Sequence, residues 1–405
     1  MSEWKKVKLG DVCERVTSGG TPKANITSYY NPPTVPWLKT KEVNYCRITE
    51  TENYISEEGL ANSSAKLIAP NSVIIAMYGQ GDTAGRVAIN KIPLTTNQAC
   101  CNLTIDESKA DYEFIYYQLC TLYKKMVSLK AGAAQPNLNA QIIKNLEIKL
   151  PSLLIQHRIA NILSRYDSLI ENYQKQIKLL EEAAQRLYKE WFVDLHFPGH
   201  ENTKIVDGVP EGWELKSVTN NHLFNVAKCP IALFNGNKTY YATADIEGTY
   251  FCNSGVKIEY DNKPSRAQIQ PSLYSVWFAR MSNSFKIVGF VEQNNNRRED
   301  SILSSGFAGF ESHYERFGFL YCLISSQWFN DQKDRYATGA TQVSITNEGL
   351  SRIRCLLPTT RLAEEFSLVT NKIIEETILY RENCIMLAEA RDRLLPKLMS
   401  GEIEI

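Results

Sequence analysis

Residues 150–187, LPSLLIQHRIANILSRYDSLIENYQKQIKLLEEAAQRL, and residues 357–394, LPTTRLAEEFSLVTNKIIEETILYRENCIMLAEARDRL, are one phrase written twice. A shift of 207 positions carries Leu150-Pro151 onto Leu357-Pro358, Tyr173 onto Tyr380, Glu182-Ala183 onto Glu389-Ala390 and Arg186-Leu187 onto Arg393-Leu394. The same shift carries Gly132-Ala133-Ala134-Gln135 onto Gly339-Ala340-Thr341-Gln342. An offset held without insertion over such a stretch marks a repeat in which length matters. Both copies read as helix. Pro151-Ser152 and Pro358-Thr359-Thr360 are helix starts with capping hydroxyls. Ile159, Tyr166, Tyr173, Leu180 and Leu187 then fall at steps of seven, as do Phe366, Ile373, Tyr380, Leu387 and Leu394. Ile162, Leu169, Ile170, Ile177 and Ala184 fill out the first seam; Val369, Cys384, Ala390 and Leu398 help fill the second. Heptads sustained this long predict a coiled coil, because a 3.5-residue period keeps one stripe against a partner helix. Two such helices in one chain are expected to pair with each other rather than lie singly on a core. Some 37 residues at about 1.5 Å each give a rod of roughly 55 Å.

The regions outside the helices share a weaker plan. Trp4, Val7 and Leu9 open the first; Pro210-Glu211-Gly212-Trp213 with Leu215 opens the second. Each has an apolar strand run, Ser72–Met77 and Ser275–Ala279. Each has a helical pattern before the Gly-Ala-x-Gln turn: Ile115, Leu119, Leu122, Met126 and Leu129, then Tyr314, Phe317, Tyr321, Ile324 and Trp328. A short strand follows each turn, Leu146–Ile148 and Ile353–Leu356. The interiors otherwise differ. Four segments result: residues 1–151, a domain; 152–197, a helix and linker; 198–358, a second domain; 359–405, a second helix.

With 405 residues, 43% hydrophobic and 22% charged, the chain has the composition of a multidomain globular protein. It carries no apolar run of the roughly 18 residues a bilayer span requires. The segment Met1–Lys6 lacks the apolar core of an export signal, which leads to an expectation of cytoplasmic location with ten reduced thiols. His196 and His200 lie four apart without a further ligand pair, so no metal site is expected. Lys plus Arg equals Asp plus Glu at 45 each, so any nucleic-acid face has to be local. Asn31-Pro32-Pro33-Thr34 lacks the aromatic that ends the amino-methyltransferase loop, and no phosphate-loop G-x-x-x-x-G-K-[ST] pattern occurs.

The layout and its local phrases resemble the specificity subunits of type I restriction–modification systems. The phrases are Ser18-Gly19-Gly20-Thr21-Pro22, Val35-Pro36-Trp37-Leu38, Tyr78-Gly79-Gln80-Gly81, Thr96-Asn97-Gln98-Ala99 and Gln135-Pro136-Asn137-Leu138. Leu150-Pro151 with Gln156 and Ile159, and Trp191-Phe192-Val193-Asp194 leading to Val209–Trp213, continue the series. The resemblance covers essentially the whole chain and rests on the order and spacing of these phrases. It implies an α+β fold: two α/β target-recognition domains separated by two long helices that form an antiparallel coiled coil, with a pseudo-twofold internal repeat. It implies a non-catalytic, sequence-specific DNA-binding subunit reading a bipartite target, one half-site per domain. Double-stranded DNA, two DNA-methyltransferase (modification) subunits and a motor-nuclease (restriction) subunit are the implied partners. S-adenosylmethionine, ATP and Mg belong, on this reading, to those partners and not to this chain. The second domain departs from the pattern: it lacks a clear Gly-Thr-Pro phrase, and Met281-Ser282-Asn283-Ser284 replaces the Gly-rich loop.

Base edges are best read by Arg, Lys, Asn and Gln, and phosphates by cations, small polar groups and backbone amides. The candidate DNA contacts in the first domain are therefore Lys39, Lys41, Gln80, Arg86, Asn97, Gln98, Gln135 and Asn137. In the second they are Arg266, Arg280, Asn295, Arg297 and Arg298. Two other classes fit parts of the pattern. A protein-binding adaptor would use the helices as a spacer and show no affinity for duplex DNA. A fused nuclease or methyltransferase would modify or cut DNA when supplied with Mg²⁺ or S-adenosylmethionine.

Overall fold

Each copy of the repeated phrase leaves a short strand, turns at proline and becomes helix, since proline lacks the donor to continue a ladder but suits a first helical turn. In the computed structural model, which describes residues 4–130 and 137–405, the first long helix is Leu153–Phe192 and the second Thr360–Ser400. The chain folds as two compact units, Met1–Leu169 with Leu387–Ile405, and Ile170–Met386, so each helix contributes a part to both. In the first unit Asp167 meets Arg391, and Ile159 shares a core with Leu398. In the second, the Tyr173 and Tyr380 rings stack at 4.8 Å, and Tyr188 meets Phe366 at 6.2 Å. Numbers rise along one helix as they fall along the other, so within each unit the helices run antiparallel.

The buried stripe is not the strict seven-residue seam. Gln156, Ile159, Ala160, Leu163 and Asp167 are buried on the first helix; 207 positions on, so are Ala363, Phe366, Ser367, Thr370 and Ile374. Of the residues at the seven-residue steps only Ile159 and Phe366 are fully buried. Tyr166, Tyr173, Leu180, Leu187, Ile373, Tyr380, Leu387 and Leu394 are half-buried, while Leu169 and Val369 are exposed. The cause is a second partner. The opening half of each long helix packs on a helix of its own domain, and a helix with 3.6 residues per turn drifts about 20° per heptad from a 3.5-residue stripe.

The first domain is built on a five-stranded sheet ordered Cys13–Ser18, Cys100–Ile105, Val73–Ala76, Val87–Asn90 and Cys46–Ile48; only the last pairing is parallel. The second has the order Asn225–Val226, Phe307–Glu311, Ser275–Ala279, Ile287–Phe290, all antiparallel. Each also has a small sheet containing one parallel pair, Val35–Leu38 with Thr95–Thr96 and Lys238–Tyr241 with Ser301–Ser304. Each is closed by a two-stranded ribbon that feeds the long helix: Lys5–Lys8 with Glu147–Leu150, and Glu214–Ser217 with Arg354–Leu357. The helical pattern before each Gly-Ala-x-Gln phrase is two helices rather than one, Tyr112–Thr121 with Tyr123–Ser128 and Tyr314–Ile324 with Gln327–Arg335. In the second domain Ser326 makes the break by accepting from Phe329 N at 3.1 Å, a side-chain cap that restarts the helix.

Among the described residues no helix is long and apolar enough to cross a membrane, and no group of His, Cys, Asp and Glu is arranged to hold a metal ion. The ten cysteines are free thiols, and Cys252 is the exposed one.

Candidate nucleic-acid interface

In the first domain the parallel pair Val35–Leu38 and Thr95–Thr96 sets two polar segments side by side at the strand ends. Asn97 N donates to Leu38 O at 2.9 Å, which places Asn97 and Gln98 beside Lys39. Gly20 N donates to Thr96 O at 2.9 Å, and the Thr21 hydroxyl reaches the Gln98 side chain. A Cβ at Gly19 or Gly20 would collide with the backbone of Asn97 or Ala65, so this approach demands glycine. Trp37 Nε1 donates to Gly20 O at 3.0 Å, and the Lys39 ammonium lies 5.0 Å over the Trp37 ring. Lys41 is exposed and pairs with Glu52; hydrogen bonding to that carboxylate raises its pKa, and a surface pair of this kind exchanges readily for a phosphate.

A second group lies on the hairpin between Val73–Ala76 and Val87–Asn90. Gln80 is exposed at its tip, while Arg86 bonds Asp82 and, at 3.0 Å, Asn44 Oδ1. The Arg86 hydrogen bond holds the Asp82 carboxyl below its ordinary value. Tyr123 donates to Asp82 O at 2.9 Å and pins the turn. Gln135 lies outside the described residues. Asn137 is half-buried next to Leu138, whose N donates to Met77 O at 3.1 Å, and Met77 N donates to Ala99 O at 2.8 Å. Asn137 therefore belongs with Gln98, and Thr21, Lys39, Asn97 and Gln98 form one polar edge. Thr21 was readable only as part of the Ser-Gly-Gly-Thr-Pro phrase.

The second-domain candidates are placed differently. Arg266 is exposed beside the Ser305-Gly306 turn, its carbonyl accepting from Ser305 N at 2.8 Å; among the described residues its guanidinium has no partner. Arg280 turns inward, with Nε on Phe307 O and Nη1 on Ile345 O at 3.1 Å each and Nη2 on Asn347 Oδ1 at 2.8 Å; desolvation lowers its pKa. The Asn294–Arg298 cluster leads into a short helix, Asn295–Asp300. Arg297 grips Glu382 of the second long helix with Nε–Oε1 at 2.6 Å and Nη2–Oε2 at 2.9 Å, and donates to Tyr241 OH at 2.9 Å. Arg298 bonds Asn295 Oδ1 at 2.8 Å and Glu299 Oε1 at 3.2 Å. Arg297 holds the domain to its helix and Arg280 and Arg298 bond within the domain, leaving Arg266 as the outward cation of the group.

The edge that corresponds by topology to Gln80 and Arg86 is the segment Arg280–Lys286 and the turn beside it. Met281 pairs with Ser344, Ser282 N donates to Val343 O at 2.9 Å, and Thr338 and Ser344 exchange two backbone bonds of 3.0 Å. The repeated Gly339–Gln342 turn thus lies against the hairpin. Lys333, only 2% exposed, donates to Met281 O at 3.1 Å and Ser284 O at 2.6 Å; burial pushes its ammonium below the ordinary lysine pKa. Sequence reasoning missed this lysine, whose one signal is its position four residues after buried Phe329.

Two copies of one mixed-sheet domain thus each present an exposed hairpin edge, and each is buttressed by a long helix. The family model described as "Type I restriction modification DNA specificity domain" matches residues 1–182. The type I restriction enzyme MjaIX specificity subunit of Methanocaldococcus jannaschii is 27% identical over the whole chain and 94% of its own length. The HindI specificity subunit of Haemophilus influenzae is 20% identical with both chains covered in full. The crystal structure of the type I restriction–modification S subunit of M. genitalium superposes with a TM-score of 0.63 over 98% of this chain and 96% of that one, at 17% identity. Residues 1–182 thus match the type I specificity-domain family, and over its whole length the chain is similar to specificity subunits of type I restriction enzymes.

Proposed function

We propose that the chain is the sequence-specific DNA-binding subunit of a type I restriction–modification complex, reading a bipartite target with one half-site per domain and performing no chemistry itself. The observation that carries this reading is the duplicated domain: the order of four sheet strands and the helix attachment recur, while the hairpin residues differ, Tyr78–Arg86 in one copy and Arg280–Lys286 in the other. Constant frame with changed edges is what two readers of different text require, because phosphates position a protein and base edges specify it. The helices serve as the scaffold on which two modification subunits and a motor-nuclease subunit assemble. S-adenosylmethionine, ATP and Mg reside on those partners, and the complex works in the cytoplasm.

The test is exchange of residues 1–150 for those of a relative, followed by methylation mapping in cells that express all subunits. One half of the methylated motif should change and the other should stay. An unchanged motif overturns the reading. Purified complex should also bind its target with an affinity that falls steeply with salt as counterions are displaced.

A further inference from the structure

We infer that the second domain recognises its half-site through thymine methyl groups, using the exposed aliphatic side chains of Met281 and Val343; this rests on the DNA-recognition reading above and names the chemistry of one half of the target. The ladder of hairpin and turn is unusual in what it hides. Its flanking cations are consumed by the protein: Arg280 on two carbonyls and Asn347, Lys286 on Thr243 O at 2.8 Å, and Lys333 on Met281 O and Ser284 O. Beside exposed Asn283, Thr341 and Gln342 it shows apolar side chains. Met281 is 47% exposed and Val343 42%, on neighbouring strands of the ladder. Neither joins a hydrophobic cluster, so their exposure is not a by-product of packing. The first domain's equivalent hairpin carries Gln80 at its tip with Arg86 and Asp82 beside it, and no exposed aliphatic residue.

In the major groove of a duplex the thymine 5-methyl is the apolar group a protein can meet, and side chains without donors discriminate there by burying it. An aliphatic pair at a DNA-reading edge is therefore matched to A·T pairs, and Ser282 and Asn283 beside it can bond the neighbouring edges. Lys333 fixes the register: with two carbonyls of the hairpin on one buried ammonium, the aliphatic groups are presented in one position.

The experiment uses the complex with its modification subunits and a duplex carrying the mapped motif, with half-sites assigned by the domain exchange. Thymines of each half-site are replaced in turn by deoxyuridine, which removes the methyl and keeps every hydrogen bond. Each buried methyl lost from the second half-site should weaken binding roughly fourfold, and changes in the first should have little effect. The doubly substituted Met281→Ala, Val343→Ala complex should lose the difference between thymine and deoxyuridine. A second half-site without thymine, or one indifferent to deoxyuridine, overturns the inference. So does a Met281→Ala, Val343→Ala complex that retains its modification subunits and still distinguishes the two bases. Absence of sequence-specific binding by the unaltered complex would instead overturn the recognition reading itself.

Discussion

The two recognition domains meet their long helices at the same scaffold position with opposite chemistry. Asp167 of the first copy corresponds by the 207-residue shift to Ile374 of the second, and both are buried. Around Asp167 gather Arg391, the Tyr117 hydroxyl and Arg47 at 3.3 Å, and Arg47 is bonded in turn to Glu113 at 3.3 Å. Ile374 lies in an apolar cluster with Phe317, Tyr321 and Ile378. The second domain's charged ties are displaced elsewhere, to Arg297 on Glu382 and to Arg381 on Glu181 and Thr249. The stripe that must be buried is shared, and the means of burying it is not.

Breaking that comparison at its strongest point should have the largest effect. Asp167→Ala leaves Arg47 and Arg391 without their shared carboxylate, and about 3–5 kcal/mol of unfolding free energy should be lost in denaturant titration of the assembled chain. Ile374→Ala removes packing alone and should cost about 2–4 kcal/mol; a larger loss there than at Asp167 would reverse the order. The hairpin clamps give a second, smaller contrast. Lys333→Met removes two charge-assisted bonds from the second-domain hairpin and should cost about 2 kcal/mol, with faster amide exchange at Ser282–Phe285. Tyr123→Phe removes a single neutral bond from an exposed turn and should cost about 0.5–1 kcal/mol. Equal losses would show that the two hairpins are held alike.

Much of this frame was legible. The proline-opened repeats, their constant offset and the apolar strand runs depend on local chemistry, and the helices run Leu153–Phe192 and Thr360–Ser400 accordingly. The seam was less legible, because a heptad count assumes one partner whereas each helix also packs on its own domain: Gln156 accepts from Asp111 N at 3.0 Å, and Ser367 from Phe319 N at 3.1 Å. Gly318 marks the second of these contacts, since a Cβ there would strike the Thr370 hydroxyl. Charge alone was the weakest guide. Arg297 and Arg280 attract notice as free cations, yet their partners lie 85 and 65 residues away in sequence, at Glu382 and Ile345. No local pattern reveals which guanidinium is already spoken for.

The cysteine inventory has a practical corollary. Burial pushes the thiols of Cys13, Cys101, Cys120 and Cys355 up to about 12, and those of Cys100 and Cys322 higher still, so at neutral pH they are withheld from electrophiles. Cys252, in the open, is the natural attachment point for a maleimide dye. The unaltered chain thus comes with its own bioconjugation handle on the second recognition domain, suited to following a complex as it scans and pauses on single stretched molecules.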